Sequence, residues 1–119
     1  MSSNGRVSHP EVRSLTFAVK RDQNAEITVA VDGDLDLVST PELEEKIAEI
    51  LSTGSAKKLV LDLHGLEFMD STGLRVLWSI RQRALDASCR LVLRSPSDAV
   101  MRLLRLTGMH RVFSIEDAP

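Results

Sequence analysis

Phe68-Met69-Asp70-Ser71-Thr72-Gly73-Leu74 is the stretch on which the fold turns. Lys57-Lys58-Leu59-Val60-Leu61-Asp62-Leu63 comes before it and is the most continuous apolar strand pattern in the chain. After it, Leu74, Leu77, Trp78 and Leu85 recur at helical spacing. The seven residues therefore lie where a buried strand hands over to a helix, and they bring an acid, two hydroxyls and a glycine to that junction. In α/β folds, loops at the carboxyl ends of strands are where function is usually placed. Unpaired backbone N–H groups and the positive end of the helix dipole meet there, so added negative charge is tolerated.

The rest of the chain supplies the other elements. Leu15, Phe17 and Val19 alternate with Thr16 and Lys20, and Ile27, Val29 and Val31 alternate with Thr28, Ala30 and Asp32. With the polar turn Arg21-Asp22-Gln23-Asn24 between them, these read as an antiparallel hairpin. Gly33-Asp34-Leu35-Asp36 ends the second strand. Ser39-Thr40-Pro41-Glu42 then starts a helix: Pro41 belongs in a first turn, and Ser39 with Glu42 has capping-box spacing. Leu43, Ile47, Ile50 and Leu51 form its apolar stripe, and Gly54 stops it. Leu59–Leu63 is apolar on both faces until Asp62, which places it centrally in the sheet. The helix opened by Asp70–Thr72 runs to about Ala87, and Cys89–Leu93 is a further strand. Ser95-Pro96-Ser97-Asp98 opens a third helix with Val100, Leu103, Leu104 and Thr107 as its stripe. Gly108 ends that helix, and Val112, Phe113 and Ile115 read as a short last strand. The expected fold is α/β: one domain over 14–119 behind a flexible tail at 1–13. Its sheet is mixed and mostly parallel, with 4–5 strands, an N-terminal antiparallel hairpin and three or more helices.

Composition narrows the function. The formal net charge of −2 and the three Phe, one Trp and no Tyr offer neither the basic surface nor the stacking platforms of a nucleic-acid binder. A single cysteine, Cys89, excludes an internal disulfide and a cysteine-based metal cluster; it reads as a small core residue. No apolar run approaches the roughly 20 residues that span a bilayer, so no membrane insertion is expected. The N-terminus lacks the apolar core of a signal peptide, and the cytoplasm is the expected location.

At the junction itself two readings stand side by side. Asp70 or Ser71 caps the helix and Gly73 lets the backbone pack closely; or three polar residues are presented together for a partner. Catalysis by Ser71 would need an adjacent base and an oxyanion hole. Neither His9, His64 nor His110 is placed on Ser71 by the sequence, and the pattern is not the elbow of α/β-hydrolases. No catalytic residue, metal ligand set or cofactor-binding motif is assigned. Asp34 and Asp36 are either ordinary loop carboxylates or, with Asp70, an acidic rim beside Ser71. Asp62 reads as a polar residue supporting the junction. The arginines at 75, 81, 83, 102 and 105 read as solvated helix faces.

Leu66-Glu67-Phe68-Met69-Asp70-Ser71-Thr72-Gly73-Leu74 resembles the signature of the STAS domain, found in sulfate transporters and anti-sigma factor antagonists. Gly33-Asp34-Leu35-Asp36, Leu59–Leu63 and the run from Leu104 through Gly108-Met109 to Phe113 resemble that family in the same order, so the likeness covers about Ser14 to Ile115. It implies a free-standing anti-sigma factor antagonist. In its unphosphorylated form such a protein binds an anti-sigma factor with serine kinase activity and releases a sigma factor; phosphorylation switches it off and a serine phosphatase resets it. By motif position the acceptor is Ser71, with Thr72 as the alternative, and Asp34, Asp36, Asp70, Ser71, Thr72 and Gly73 make up the partner-binding set. The other member of the family that fits is a structural STAS subunit of a stressosome or a lipid-transport ATPase complex. A small nucleotide-binding or hydrolytic protein is a third reading, from another class.

Overall fold

The computed structural model describes residues 15–117; the expected tail at 1–13 lies outside them. The element order is β1 (Thr16–Arg21), β2 (Glu26–Leu35), α1 (Thr40–Ser52), β3 (Lys58–Asp62), β4 (Leu66–Met69), α2 (Ser71–Asp86), β5 (Arg90–Arg94), α3 (Asp98–Leu106), a single 3₁₀ turn (Met109–Arg111) and β6 (Ile115–Glu116). β1 and β2 form the antiparallel hairpin, with Thr16 opposite Asp32 and Arg21 opposite Ile27. Its turn is held by Asp22, whose Oδ1 accepts from the Asn24 and Glu26 N–H groups at 2.8 and 3.0 Å. The remaining pairings are parallel, in the order β1-β2-β3-β5-β6, so the sheet is mixed and mostly parallel as the pattern implied.

Among the described residues the sheet has six strands. Five are those legible as apolar runs; the sixth, β4, comes from within the signature stretch. β2 is long enough to pair twice on one side. Its first half, Glu26–Ala30, lies along β3. Gly33 then takes φ 105°, a conformation open mainly to glycine, and the register shifts between Gly33 and Asp34. Beyond that point Asp34 pairs with Phe68 and Leu35 with Met69 of β4. The chain passes from β3 to β4 through Leu63-His64-Gly65, where the Asp62 carboxylate accepts from the His64 N–H at 3.1 Å and the Gly65 carbonyl accepts from the Gly33 N–H at 3.0 Å. Asp62 thus supports the approach to the junction.

One apolar cluster joins the layers. Ile27, Val29, Val31 and Leu35 of β2, Leu59 and Leu61 of β3 and Leu93 of β5 share it with Leu43 and Ile47 of α1, Leu77 and Ile80 of α2 and Leu104 of α3. Burying each such leucine or isoleucine contributes about 1.5–3 kcal/mol. α2 buries Gly73, Val76, Leu77, Ile80 and Ala84. Trp78 and Leu85, apolar at helical spacing, lie outside that stripe and are 39% and 56% exposed.

α1 begins where Pro41 sets it, but the capping box does not form. The Ser39 hydroxyl donates to the Asp34 carbonyl at 2.7 Å and accepts from the Asp36 N–H at 3.0 Å, which fixes the β2–α1 loop instead. α3 is capped by Ser97, whose Oγ accepts from the Val100 N–H at 3.5 Å and donates to the Leu66 carbonyl at 2.6 Å. This one hydroxyl ties α3 to the first residue of β4. Ser97→Ala is therefore expected to lower stability by about 1–2 kcal/mol, since it removes both a cap and the hydrogen bond to the Leu66 carbonyl. Urea denaturation checks this, with Ser97→Thr keeping most of the lost stability.

Candidate functional site

The site forms where β2 and β4 end side by side. Asp70 follows β4 in an extended conformation (φ −105°, ψ −171°) and is the N-cap of α2. Its Oδ1 accepts from the Thr72 and Gly73 N–H groups at 2.9 and 3.0 Å, its carbonyl accepts the first helical bond from the Leu74 N–H at 3.0 Å, and its own N–H reaches the Leu35 carbonyl at 3.4 Å. An aspartate in this place satisfies two first-turn donors and sets a negative charge against the positive helix end.

Gly73 is buried under the end of β2. A Cβ at this position would stand 2.7 Å from the Leu35 carbonyl oxygen, 2.6 Å from Met69 Cγ and 3.1 Å from Leu35 Cγ. Glycine is required here by the close approach of helix and strand. Asp70 and Gly73 therefore fasten α2 onto the ends of β4 and β2, while Ser71, first residue of the helix, is left exposed and Thr72 is half-buried.

Asp34 and Asp36 belong to the adjoining end of β2. The strand register sets Asp34 opposite Phe68 and Leu35 opposite Met69, so the backbone of 34–36 runs beside that of 68–70. Both aspartates are half-buried. Asp36 is engaged locally: its Oδ1 accepts from the Val38 and Ser39 N–H groups at 3.0 and 3.1 Å, an Asx turn leading into α1. The sequence-derived site residues thus come to one end of the sheet, but with unlike tasks: Asp36, Asp70 and Gly73 hold backbone, and Ser71 presents a free hydroxyl edge to solvent.

Sequence patterns did not single out the apolar surface around Ser71. A shallow groove on one side is lined by Ser71, Leu74, Arg75 and Trp78 of α2 and by Met109 of the 3₁₀ turn. The Arg81 guanidinium lies 5.4 Å from the Trp78 ring centre and steadies the indole on the helix surface. At the same end of the sheet, Leu37 and Val38 are 72% and 84% exposed and Phe68 is 46% exposed. The available signals were two adjacent apolar residues inside a loop and a lone tryptophan one turn beyond the motif.

Elsewhere two titratable groups are held away from their ordinary values. Burial pushes the Cys89 thiol above its ordinary range, which keeps it protonated and a poor nucleophile. A hydrogen bond and charge from Arg94 hold the Glu116 carboxyl below its usual value, and the pair, with Nη2 to Oε1 at 2.8 Å, pins β6 to β5. Among the described residues no group of three His, Cys, Asp or Glu side chains could hold a metal ion, and no helix is long and apolar enough to cross a membrane.

Comparison with known proteins places the whole domain in a family. The anti-sigma-B factor antagonist of Bacillus subtilis (strain 168) is 30% identical over 102 residues, which cover 86% of this chain and 91% of that protein. The crystal structure of an anti-sigma factor antagonist from Mycobacterium paratuberculosis superposes with a TM-score of 0.77 at 28% identity, covering 92% of this chain and 90% of that one. The anti-sigma factor antagonist SpoIIAA of Bacillus shares the fold in its unphosphorylated form (TM-score 0.75, 20% identity, 87% and 89% covered) and in its phosphorylated form (0.70, 19%, 87% and 92%). The family model of the STAS domain matches residues 16–118. With that match spanning both hairpin and junction, the chain belongs to the STAS domain family.

Proposed function

We propose that this protein is an anti-sigma factor antagonist whose unphosphorylated form binds an anti-sigma factor with serine kinase activity, frees a sigma factor, and is switched off by phosphorylation of Ser71. One observation carries the choice of residue. Ser71 is the exposed hydroxyl next to Asp70, whose Oδ1 is committed to the Thr72 and Gly73 N–H groups, with an apolar groove beside it and exposed Leu37, Val38 and Phe68 at the same end of the sheet. Thr72, half-buried and one residue further into the helix, is the less accessible hydroxyl.

The switch then follows from charge. The γ-phosphoryl group of ATP passes to Ser71 Oγ, the hydroxyl proton leaves to a base on the kinase, and ADP departs. The new group adds about −1.5 to −2 charges at pH 7. On an apolar docking surface next to Asp70, with Asp34 and Asp36 at the adjoining strand end, that charge is both repelled and costly to desolvate. α2 is fastened independently by Asp70 and Gly73, so the domain itself need not refold. In this reading the chain acts in the cytoplasm, and a serine phosphatase restores the hydroxyl.

Capture of partners from native lysate on the immobilised chain, followed by addition of ATP and site-resolved phosphate mapping, tests the proposal. It predicts recovery of an anti-sigma factor with kinase activity and phosphate on Ser71 that Ser71→Ala abolishes. Ser71→Asp should weaken the complex at least tenfold, about 1.4 kcal/mol. Phosphate confined to Thr72, or undiminished binding by Ser71→Asp, overturns it.

A further inference from the structure

Phosphate on Ser71 would arrive at a helix end that is already in use. The Thr72 and Gly73 N–H groups, which elsewhere make a helix N-terminus an anion site, both donate to Asp70 Oδ1. The carboxylate that takes them is itself negative. The phosphate must find its countercharge elsewhere, and the first turn of α2 contains none.

Arg75 supplies it. Ser71 and Arg75 stand four residues apart on α2 and line the same groove, with Leu74, Trp78 and Met109 forming its apolar floor. Residues at this spacing have Cβ atoms about 5–6 Å apart, and an acid on the N-terminal side of a base is the favourable order. A guanidinium also matches a phosphate with two parallel N–H donors. We propose that Arg75 is the intramolecular counter-ion of phosphorylated Ser71, and that phosphorylation withdraws this cation from the groove surface a partner meets. The inference rests on Ser71 being the modified residue, and it gives the switch two components: an anion is added to the docking surface, and a cation is removed from it.

The charged and titratable groups around the phosphate are Asp70 beside it, Asp34 and Asp36 at the adjoining strand end, Arg75 on α2, and His110 and Arg111 next to Met109. Their contributions separate by ³¹P NMR titration of protein carrying phosphoserine incorporated at position 71 during translation, which requires no kinase. The second ionisation of the phosphate is expected to lie lower in the native background than in Arg75→Gln by about half a pH unit or more, with Arg75→Lys between them. Unphosphorylated Arg75→Gln should keep the native thermal midpoint, so that the difference belongs to the phosphate. Equal titration of the native and Arg75→Gln forms overturns the proposal, as does a midpoint that moves only with His110→Gln. Failure of the kinase to modify Ser71 would instead overturn the proposed function and leave this titration unaffected.

Discussion

Leu35→Ala is expected to lower the stability of the domain by about 3 kcal/mol, among the largest effects of any single truncation here. Leu35 is wholly buried in the central cluster, yet it sits at the very end of β2, where strands usually fray. Its side chain packs under Gly73, its carbonyl accepts from the Asp70 N–H, and its backbone pairs with Met69. Truncation leaves a cavity beneath the first turn of α2 that the flanking strands, fixed by their register, cannot close. The fall should appear as a lower urea midpoint at unchanged slope. Hydrogen exchange should quicken at Asp70 and Gly73 before it does in the β1–β2 hairpin.

The second large effect is expected from Gly73→Ala, where two terms of opposite sign compete. Alanine is the better helix former by up to about 1 kcal/mol. Against this stands a Cβ that would meet the Leu35 carbonyl oxygen at 2.7 Å. Met69 Cγ, at 2.6 Å, is the flexible part of a side chain and can move; the carbonyl belongs to paired strand backbone and cannot do so without opening β2 from β4. Overpacking of this kind costs about 1–3 kcal/mol, so the net change should be destabilising by about 1–2 kcal/mol. Combining it with Leu35→Ala separates the causes. The double variant relieves the contact with Leu35 Cγ at 3.1 Å but leaves the carbonyl in place, so it should not recover the stability of Leu35→Ala alone. Recovery would show that side chains, and not backbone, set the need for glycine.

The elements that sequence exposed were those whose pattern is local. The hairpin shows as two alternating runs around Asp22, α1 as Pro41 followed by Leu43, Ile47 and Ile50, and α3 as Ser97 before Val100 and Leu104. β4 was hidden because Leu66-Glu67-Phe68-Met69 is only four residues long, with Glu67 and Phe68 exposed. Its identity as a strand comes from pairing with the second half of β2, a partner more than thirty residues earlier. That half was hidden in turn: Gly33-Asp34-Leu35-Asp36 reads as the end of the second strand, and only the register shift at Gly33 shows that the chain stays extended to Leu35 and takes a new partner there. The junction was legible for the same reason it is conspicuous, an acid, two hydroxyls and a glycine in succession. The division of labour among them was not. Which hydroxyl is accessible depends on how the first turn of α2 sits on the strand ends, with Ser71 exposed and Thr72 half-buried, and the value of Arg75 depends on Met109 arriving from the far end of the chain to complete the groove. Arg75 reads as one more solvated arginine until both are in place.

Asp70 also bears on the kind of signal that the proposed site would receive. A helix end with vacant N–H groups would collect whatever small anion the surroundings held, and its occupancy would drift with the concentration of inorganic phosphate or sulfate. Here the two donors that such an ion would seek are satisfied by the chain's own carboxylate at 2.9 and 3.0 Å. A dissolved anion gains little by displacing it, whereas one attached covalently to Ser71 stays regardless of concentration. If Ser71 is the modified residue, as proposed, the built-in cap makes the site deaf to solutes and responsive to an enzyme's mark, so that its state records a catalytic event and not the composition of the medium.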